Sequence, residues 1–206
     1  VEGLKVGDRV VLVPNIPCGY CESCRQGKAN MCENEKVMGV TCDGVFAKYF
    51  VAPEVALTKI PDDMDKDLAI FAEPVKCVMG AMDWVRVLPG ETVLILGGGP
   101  IGLYFIMLMK ANGAGKIIVS EPSEYRAKYA MDCGADIIID PTKQNLAEEI
   151  AKITGGRGVD ISVDAVGVLI NDAIVNTCKG GRIVLMGQNG AANETICQND
   201  IVSKGL

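Results

Sequence analysis

Four cysteines lie close together near the start of the chain, in PCGYCESCRQGKANMC at residues 17–32. Cys18, Cys21, Cys24 and Cys32 have the spacing C-x2-C-x2-C-x7-C, and the chain contains no histidine. Thiolates with such spacing are ligands for a tetrahedral zinc ion, with Zn–S bonds of about 2.3 Å. Four sulfur ligands leave no open position for water or substrate. The pattern therefore predicts a closed zinc site with a structural role.

Two other uses of these cysteines stay open at this point. An iron–sulfur cluster is one, because the first three cysteines have ferredoxin-like spacing. The bacterial ferredoxin pattern places its fourth cysteine after a gap of three residues and follows it with proline. Here Cys32 comes after a longer gap and precedes Glu33. Disulfides or free thiols are the other alternative.

A glycine-rich turn, LGGGPIG at residues 96–102, is the second chemical feature. It contains G-x-G-x-x-G directly after an apolar run and opens a segment of helix length, which is the context of a dinucleotide site. Glycines let the backbone approach a pyrophosphate, and the helix N-terminus offers N–H groups and partial positive charge. We predict cofactor contacts at Gly97, Gly99, Pro100, Ile101 and Gly102. The alternative is a tight turn that binds nothing.

An acidic residue, Glu121, follows the next apolar run along the chain. A carboxylate at this point accepts hydrogen bonds from ribose hydroxyls and repels a 2′-phosphate, so it favours NAD over NADP. Arg126 instead favours NADP, because a guanidinium can pair with the 2′-phosphate. The alternative for Glu121 is a solvated acid at the start of a helix.

The elements that must position these residues change character along the chain. Early residues suggest short strands at 10–14, 45–51 and 55–60. From about residue 91, apolar and β-branched runs alternate with segments of helix length, at residues 93–96, 116–120, 136–140, 159–166 and 181–187. This alternation predicts an α/β fold with a parallel sheet covered on both faces.

Caps and apolar stripes predict the helices. Ser123 is a good N-cap for a helix that runs to Cys133, and Asn145 is one for the next helix. A stripe of Ile170, Ile174 and Cys178 at helical spacing predicts a third.

Composition excludes some classes of partner. The chain has 206 residues, a net charge of −6 and a pI near 4.8, which argues against nucleic acid or an anionic membrane as a partner. The uncharged run from Thr92 to Met109 is long enough to suggest a membrane span. The GGGP inside it indicates a strand, a turn and a buried helix instead. Nine cysteines, an odd number and mostly scattered, favour a reduced cytoplasmic protein over a secreted disulfide framework.

Several segments together resemble one known family. They are VGDRVV (6–11), CGYCESCRQGKANMC (18–32), DGVFAKYFVAP (43–53), AEPVKCV (72–78), LGGGPIG (96–102), GGRGVD (155–160) and GGRIVLMG (180–187). In this order they resemble the zinc-containing medium-chain dehydrogenase/reductases, such as alcohol, sorbitol, butanediol and threonine dehydrogenases. The resemblance implies a partial GroES-like β domain at residues 1–75 and a Rossmann-type NAD-binding domain at residues 76–206 without its last strand. The resemblance is incomplete at both ends, and the start without Met suggests the interior of a longer protein.

The resemblance also implies roles for further residues. Family members hold a catalytic zinc with a Cys and a Gly-His-Glu segment upstream of VGDRV, and neither is present here. Glu73 matches the position of a third ligand, with a helix-start carboxylate as the alternative. Cys77 is a weaker candidate, and a small buried apolar residue is its alternative. The strand-end residues implied to line the nicotinamide ribose are Val166, Gly167, Met186 and Gly187, unless they form ordinary turns.

The function that the resemblance implies is oxidation of a secondary alcohol or polyol to a ketone, with hydride transfer to NAD. The isolated chain is expected to be inactive, and the complete enzyme to be a homo-oligomer acting on a small molecule. The alternatives are a non-catalytic NAD-binding fragment with a structural zinc, and an L-threonine 3-dehydrogenase. A zinc-independent quinone reductase is disfavoured by the cysteine loop.

Overall fold

The computed structural model describes residues 3–206, which form two compact units with their boundary in the chain between Glu73 and Pro74. The domain limits 1–75 and 76–206 that the resemblance implies stay a prediction.

The first unit consists mainly of short strands and turns. Strand β1 (Val10–Leu12) pairs antiparallel with β4 (Leu57–Lys59), and β2 (Asn15–Ile16) pairs antiparallel with β3 (Lys36–Val37). Its helices are short: α1 (Glu22–Arg25), α2 (Lys66–Ala69) and 3-10 turns at Ala29–Met31 and Glu54–Ala56. The predicted strands at residues 10–14 and 55–60 are therefore present in shortened form.

The predicted strand at residues 45–51 is wrong. This stretch consists of bends and irregular backbone, and it belongs to no ladder among the described residues. Phe46, Tyr49 and Val51 are exposed. A β-branched and aromatic run forms a strand only where a neighbour pairs its backbone N–H and C=O groups, so residue type alone was insufficient.

The second unit is built on a five-stranded sheet in the order β7-β6-β5-β8-β9, with every neighbouring pair parallel. The strands are β5 (Thr92–Leu96), β6 (Lys116–Ser120), β7 (Ile137–Ile139), β8 (Val159–Asp164) and β9 (Thr177–Leu185). The helices are α3 (Ala72–Val85), α4 (Pro100–Ala111), α5 (Glu124–Asp132), α6 (Leu146–Thr154), α7 (Ile170–Asn176) and α8 (Gln198–Lys204). The predicted α/β fold with a Rossmann-type parallel sheet is confirmed.

The core lies on both faces of this sheet because the strands alternate their side chains. In β5, Val93 and Ile95 pack into a cluster with Phe105 of α4, whereas Leu94 and Leu96 pack into a second cluster on the other face. All four of these β5 side chains are fully buried. A strand covered on both faces needs apolar residues at successive positions, which explains the continuous runs in the sequence.

The predicted caps form as expected. The Ser123 side chain accepts a hydrogen bond from the backbone N–H of Arg126, and the Asn145 side chain accepts one from Glu148. The uncharged stretch divides into strand, turn and helix, as the glycines indicated. Among the residues that the structure describes, no helix is long and apolar enough to cross a bilayer.

The expected helical stripe that ends at Cys178 is partly wrong. Ile170 and Ile174 lie in α7, but the helix ends at Asn176 and Cys178 is buried in β9. The chain leaves the helix here because β9 pairs with β8 from Thr177, which lies opposite Val159, and the Thr177 hydroxyl oxygen lies 2.7 Å from the Ser162 hydroxyl oxygen of β8. The inner face of a helix and a buried strand position are both apolar, so the helical spacing of Cys178 did not distinguish between them.

Candidate cofactor site and metal centre

The candidate cofactor residues lie where strands of the sheet end. Strand order reverses at β5, because β6 lies on one side of it and β8 on the other. In open α/β sheets, ligands bind outside the carboxyl ends of strands at such a reversal. The loops after β5, β8 and β9 all leave the sheet at this edge, since all five strands are parallel.

The glycine turn is held by backbone contacts at both ends. Gly97 has a φ of 100° and donates its N–H to the carbonyl oxygen of Ser120 at 2.9 Å. Helix α4 then begins at Pro100 with Gly99 as its N-cap. An added Cβ at Gly102 would collide with the carbonyl oxygen of Gly97. Glycine at residue 102 is therefore required by the fold itself.

Gly99 differs, because the fold does not require glycine there. Its φ is −73° and its ψ is 179°, which any residue adopts, and an added Cβ would have no neighbour within 4 Å. The space beside Gly99 lies at the N-terminus of a twelve-residue helix, where unpaired N–H groups attract anions. This open space, which we call the cradle, leaves room for an anion such as a pyrophosphate to approach the helix N-terminus.

Glu121 is a buried carboxylate, 3% exposed, directly after β6. Its Oε2 accepts the N–H of Gly98 at 2.7 Å and its Oε1 accepts the N–H of Ser123 at 2.8 Å. The alternative of a solvated acid at a helix start is therefore wrong. Each carboxylate oxygen has two lone-pair sites, so both oxygens can accept a further hydrogen bond from a ligand hydroxyl.

Gly98 is a residue that the motif did not identify. An added Cβ there would lie 3.2 Å from the Cγ and Oε2 atoms of Glu121. Gly98 occupies the x position between the first two glycines of G-x-G-x-x-G, and its contact with Glu121 restricts which side chains fit there. Arg126, the residue that opposed the NAD assignment, is exposed in the first turn of α5.

The loops after β8 and β9 contact one another closely. An added Cβ at Gly187 would collide with the backbone of Val166 and Gly167. Val166 also approaches the glycine turn, since an added Cβ at Gly97 would lie 2.7 Å from its Cγ2 atom. The structure therefore brings together the predicted residues of these loops, including Met186 just before Gly187.

Asp164 organises this group, and sequence reasoning did not identify it. It ends β8, is 2% exposed, and accepts hydrogen bonds from backbone N–H groups of the following loop. A second acid after Asp160 in a largely buried strand was the available signal, but its run was assigned to a strand through residue 166.

The four cysteines converge in the first unit. The Sγ atoms of Cys18, Cys21, Cys24 and Cys32 all lie within 4.8 Å of one another. The Cys21 and Cys32 sulfurs are 3.9 Å apart, close to the ~3.8 Å expected for thiolates around tetrahedral zinc. Helix α1 holds two ligands, with Cys21 as its N-cap and Cys24 inside it. The cluster could therefore hold a structural zinc.

The local hydrogen bonds favour a thiolate at Cys18 but not at Cys24. Burial raises the pKa of the Cys18 thiol, but the N–H groups of Tyr20 and Cys21 outweigh it, and the pKa falls to about 6. Burial and the neighbouring thiols instead raise the pKa of Cys24 to about 12. Four adjacent thiolates repel one another, so ionising all of them requires a cation among them.

Glu73 lies in the first turn of α3 and is partly buried. In the described part of the chain, only the cysteine cluster brings three or more potential metal ligands together. Glu73 as a catalytic zinc ligand therefore stays a prediction that needs partners from elsewhere. Cys77 is exposed, which excludes its interpretation as a buried apolar residue.

Comparisons with known proteins agree with this arrangement. Residues 100–206 match the family described as Zinc-binding dehydrogenase, and residues 1–62 match the Alcohol dehydrogenase GroES-like domain. L-Threonine 3-dehydrogenase of Pyrococcus horikoshii is 39% identical over 191 residues, covering 91% of this chain and 54% of that protein. Sorbitol dehydrogenase of Bacillus subtilis is 34% identical over 190 residues, covering 91% and 54% respectively.

A solved structure from Sinorhizobium meliloti, a zinc-binding dehydrogenase bound to NADP, superposes with a TM-score of 0.92 at 31% identity. It is matched over 100% of this chain and 61% of its own length. This chain thus spans about half the length of the curated relatives it matches. The family match over residues 100–206, together with the sheet order and the thiol cluster, shows that the chain belongs to the zinc-containing medium-chain dehydrogenase/reductase family.

Proposed function

We propose that this chain is the structural-zinc and cofactor-binding part of an NAD-dependent dehydrogenase that oxidises a secondary alcohol or polyol. The cradle beside Gly99 is the observation that carries the proposal. The fold neither fills this space nor needs a glycine there for its backbone angles. Gly80 shares both properties, but only Gly99 lies at a helix N-terminus on the carboxyl edge of the sheet, and this position points to an anionic ligand.

The chain's residues have distinct tasks in this proposal. The N-terminus of α4, at Ile101 and Gly102, holds the pyrophosphate by N–H groups and partial positive charge. Pro100 has no N–H and instead fixes the first helical turn. Bound NAD supplies the hydride acceptor, and these residues orient it.

Glu121 is proposed to bind the ribose hydroxyls of the adenosine half. The N–H groups of Gly98 and Ser123 fix its carboxylate in one orientation. A 2′-phosphate at this point would bring a second negative charge beside a buried carboxylate, which costs free energy. We therefore propose NAD over NADP, with exposed Arg126 too weakly constrained to reverse the preference.

The cysteine cluster is proposed to hold zinc for stability alone. With Cys18, Cys21, Cys24 and Cys32 all bound, the metal has no position for a substrate oxygen. Activation of the alcohol would require a second zinc, which lowers the pKa of a bound hydroxyl, with Glu73 among its ligands. The other ligands would come from outside this chain, so we propose that the isolated chain is inactive.

L-Threonine is a second candidate substrate. The threonine dehydrogenase relative is 39% identical to this chain, against 34% for the sorbitol dehydrogenase. Both reactions oxidise a secondary alcohol. The complete gene product assayed with L-threonine and with sorbitol would separate the two.

Two further proposals concern the complete protein. All nine cysteines have free thiols, which supports a reducing compartment such as the cytoplasm. We also propose that the complete enzyme is a homo-oligomer, as the resemblance to the family implies.

Fluorescence titration of the 206-residue chain with NADH tests the proposal. Gly99→Ala should weaken NADH binding at least about 10-fold, since the methyl group occupies the cradle, a loss of about 1.4 kcal/mol or more. Its urea midpoint should fall less than that of Gly102→Ala, because the methyl group meets no protein atom within 4 Å and only the N-cap preference for glycine over alanine is lost.

Gly80→Ala is the matched control, because Gly80 lies within α3 and its added Cβ also has no neighbour within 4 Å. This control should bind NADH like the parent chain. Equal binding by Gly99→Ala, or a parent chain that does not bind NADH, contradicts the proposal.

A further inference from the structure

We infer that Asp164 is the positioning residue for the nicotinamide half of the cofactor, an inference that rests on the function proposed above. Asp164 is the last residue of β8 and is 2% exposed. An ionised carboxylate so deeply buried is costly unless several donors satisfy it. Its donors therefore indicate what it is for.

The donors are backbone N–H groups of the loop that follows β8. The Oδ1 atom of Asp164 accepts the N–H of Val166 at 2.9 Å and that of Gly167 at 2.8 Å. The Oδ2 atom accepts the N–H of Leu169 at 2.9 Å. Three bonds to one side chain fix the course of the loop at three points, and hydrogen bonds to a charged acceptor are the stronger kind.

The main chain of the same residue fixes the neighbouring loop. The carbonyl oxygen of Asp164 accepts the N–H groups of Met186 and Gly187, both at 2.9 Å. One residue therefore fixes the two loops that contain all four candidate nicotinamide contacts. The collision expected from any Cβ at Gly187 shows how little either loop can shift.

The adenosine half depends on different residues. The glycine turn bonds to Ser120, and Glu121 is fixed by Gly98 and Ser123, with no contribution from the Asp164 side chain. The two groups approach one another where the Val166 Cγ2 atom and, less closely, the Ala165 Cβ atom lie beside Gly97. Loss of the Asp164 acceptors should therefore disturb the nicotinamide half selectively.

A purely structural role for Asp164 would change the ligand affinities in a different way. Leu169 precedes α7 and has no side-chain cap of its own, so the Oδ2 atom of Asp164 also supports the start of that helix. If this support were its whole contribution, a variant would lose stability and bind every adenosine ligand proportionally less. The distinction between the two roles is therefore measurable with two ligands.

The experiment compares NADH with ADP, which lacks both the nicotinamide and its ribose, on the 206-residue chain by calorimetry. Asp164→Asn replaces one acceptor oxygen by an NH2 group that faces backbone donors. It should weaken NADH binding about 10-fold or more and change ADP binding less than about twofold.

Asp160→Asn is the matched control, since Asp160 lies near the other end of β8 and its Oδ2 accepts the N–H of Thr92 at 2.9 Å. It should leave both affinities unchanged. If Asp164→Asn does not fold, Asp164→Glu decides, because it keeps the charge and both oxygens but moves them by one methylene. Asp164→Glu should weaken NADH binding selectively, by a smaller factor than Asp164→Asn.

Unchanged NADH binding in the deciding variant, or equal weakening of both ligands, overturns the inference. A parent chain that binds neither NADH nor ADP overturns the proposed function instead. The two failures are thus distinguishable.

Discussion

At the scale of single residues, the site depends on which polar groups are already satisfied by the chain. Glu121 is buried and bonded to two backbone N–H groups, yet both oxygens keep acceptor capacity. A side chain fixed in this way binds a ligand without a cost in rotamer freedom. Preorganisation of this kind favours specificity for one cofactor over another.

Glu121→Ala is expected to remove the preference for NADH over NADPH. The lost bonds to a charged acceptor should weaken NADH about 10-fold, while NADPH, relieved of repulsion, should bind no worse than before. The affinity ratio is the measurement, because partial unfolding lowers both affinities equally.

Glu124→Ala is the control for this change, because Glu124 is the next acid along the chain and its side chain is 90% exposed. The control should keep the parent ratio. An unchanged ratio in Glu121→Ala would contradict the ribose assignment.

At the scale of elements, the turn between β5 and α4 uses its glycines for two different reasons. Gly102 is required because α4 packs against the carbonyl oxygen of Gly97. An added Cβ at Gly99 would meet no atom within 4 Å, so the space beside this residue is open to a ligand. One motif therefore contains a packing requirement and a binding requirement at neighbouring positions.

Gly102→Ala is expected to lower the free energy of unfolding by about 1–3 kcal/mol, the usual cost of overpacking. The collision involves backbone atoms, which cannot move aside as a flexible side chain would. Urea denaturation followed by circular dichroism gives the measurement. Gly80→Ala should raise stability by up to about 1 kcal/mol, because alanine is the better helix former. A parent-like midpoint for Gly102→Ala would show that α4 can shift away from the turn.

At the scale of the whole molecule, the two units are stabilised differently. Both large apolar clusters lie in the second unit. In the first unit, four thiols converge in a region with short strands and several exposed apolar side chains. A small unit with little core commonly depends on a metal for its stability.

Removal of zinc by a chelator is therefore expected to affect the two units unequally. Amides of residues 18–32 should lose protection from hydrogen exchange, whereas amides of β5 should exchange as before. Hydrogen exchange with mass spectrometry, alongside metal analysis, checks this.

Cys21→Ser should reproduce the effect of the chelator. Cys42→Ser should not, because Cys42 is exposed and lies outside the cluster. Equal loss of protection in β5 would contradict a metal role confined to the first unit.

The sequence by itself determined the fold class, the order of strands and helices from about residue 91 onward, and the set of candidate ligands. These properties depend on local signals: the C-x2-C-x2-C spacing, the glycine turn after an apolar run, and caps such as Ser123 and Asn145. Such signals involve residues a few positions apart, so the chain's own geometry is enough to read them.

Only the tertiary structure decided which of those residues have their hydrogen bonds satisfied, which lie in close contact with neighbours, and which border open space. Whether residues 45–51 form a strand depends on a partner strand. The place of Cys178 in a strand depends on the contact between Thr177 and β8. The difference between Gly99 and Gly102, and the role of Asp164, likewise arise from contacts between separate segments. Distances between segments are set by packing, which no local pattern encodes.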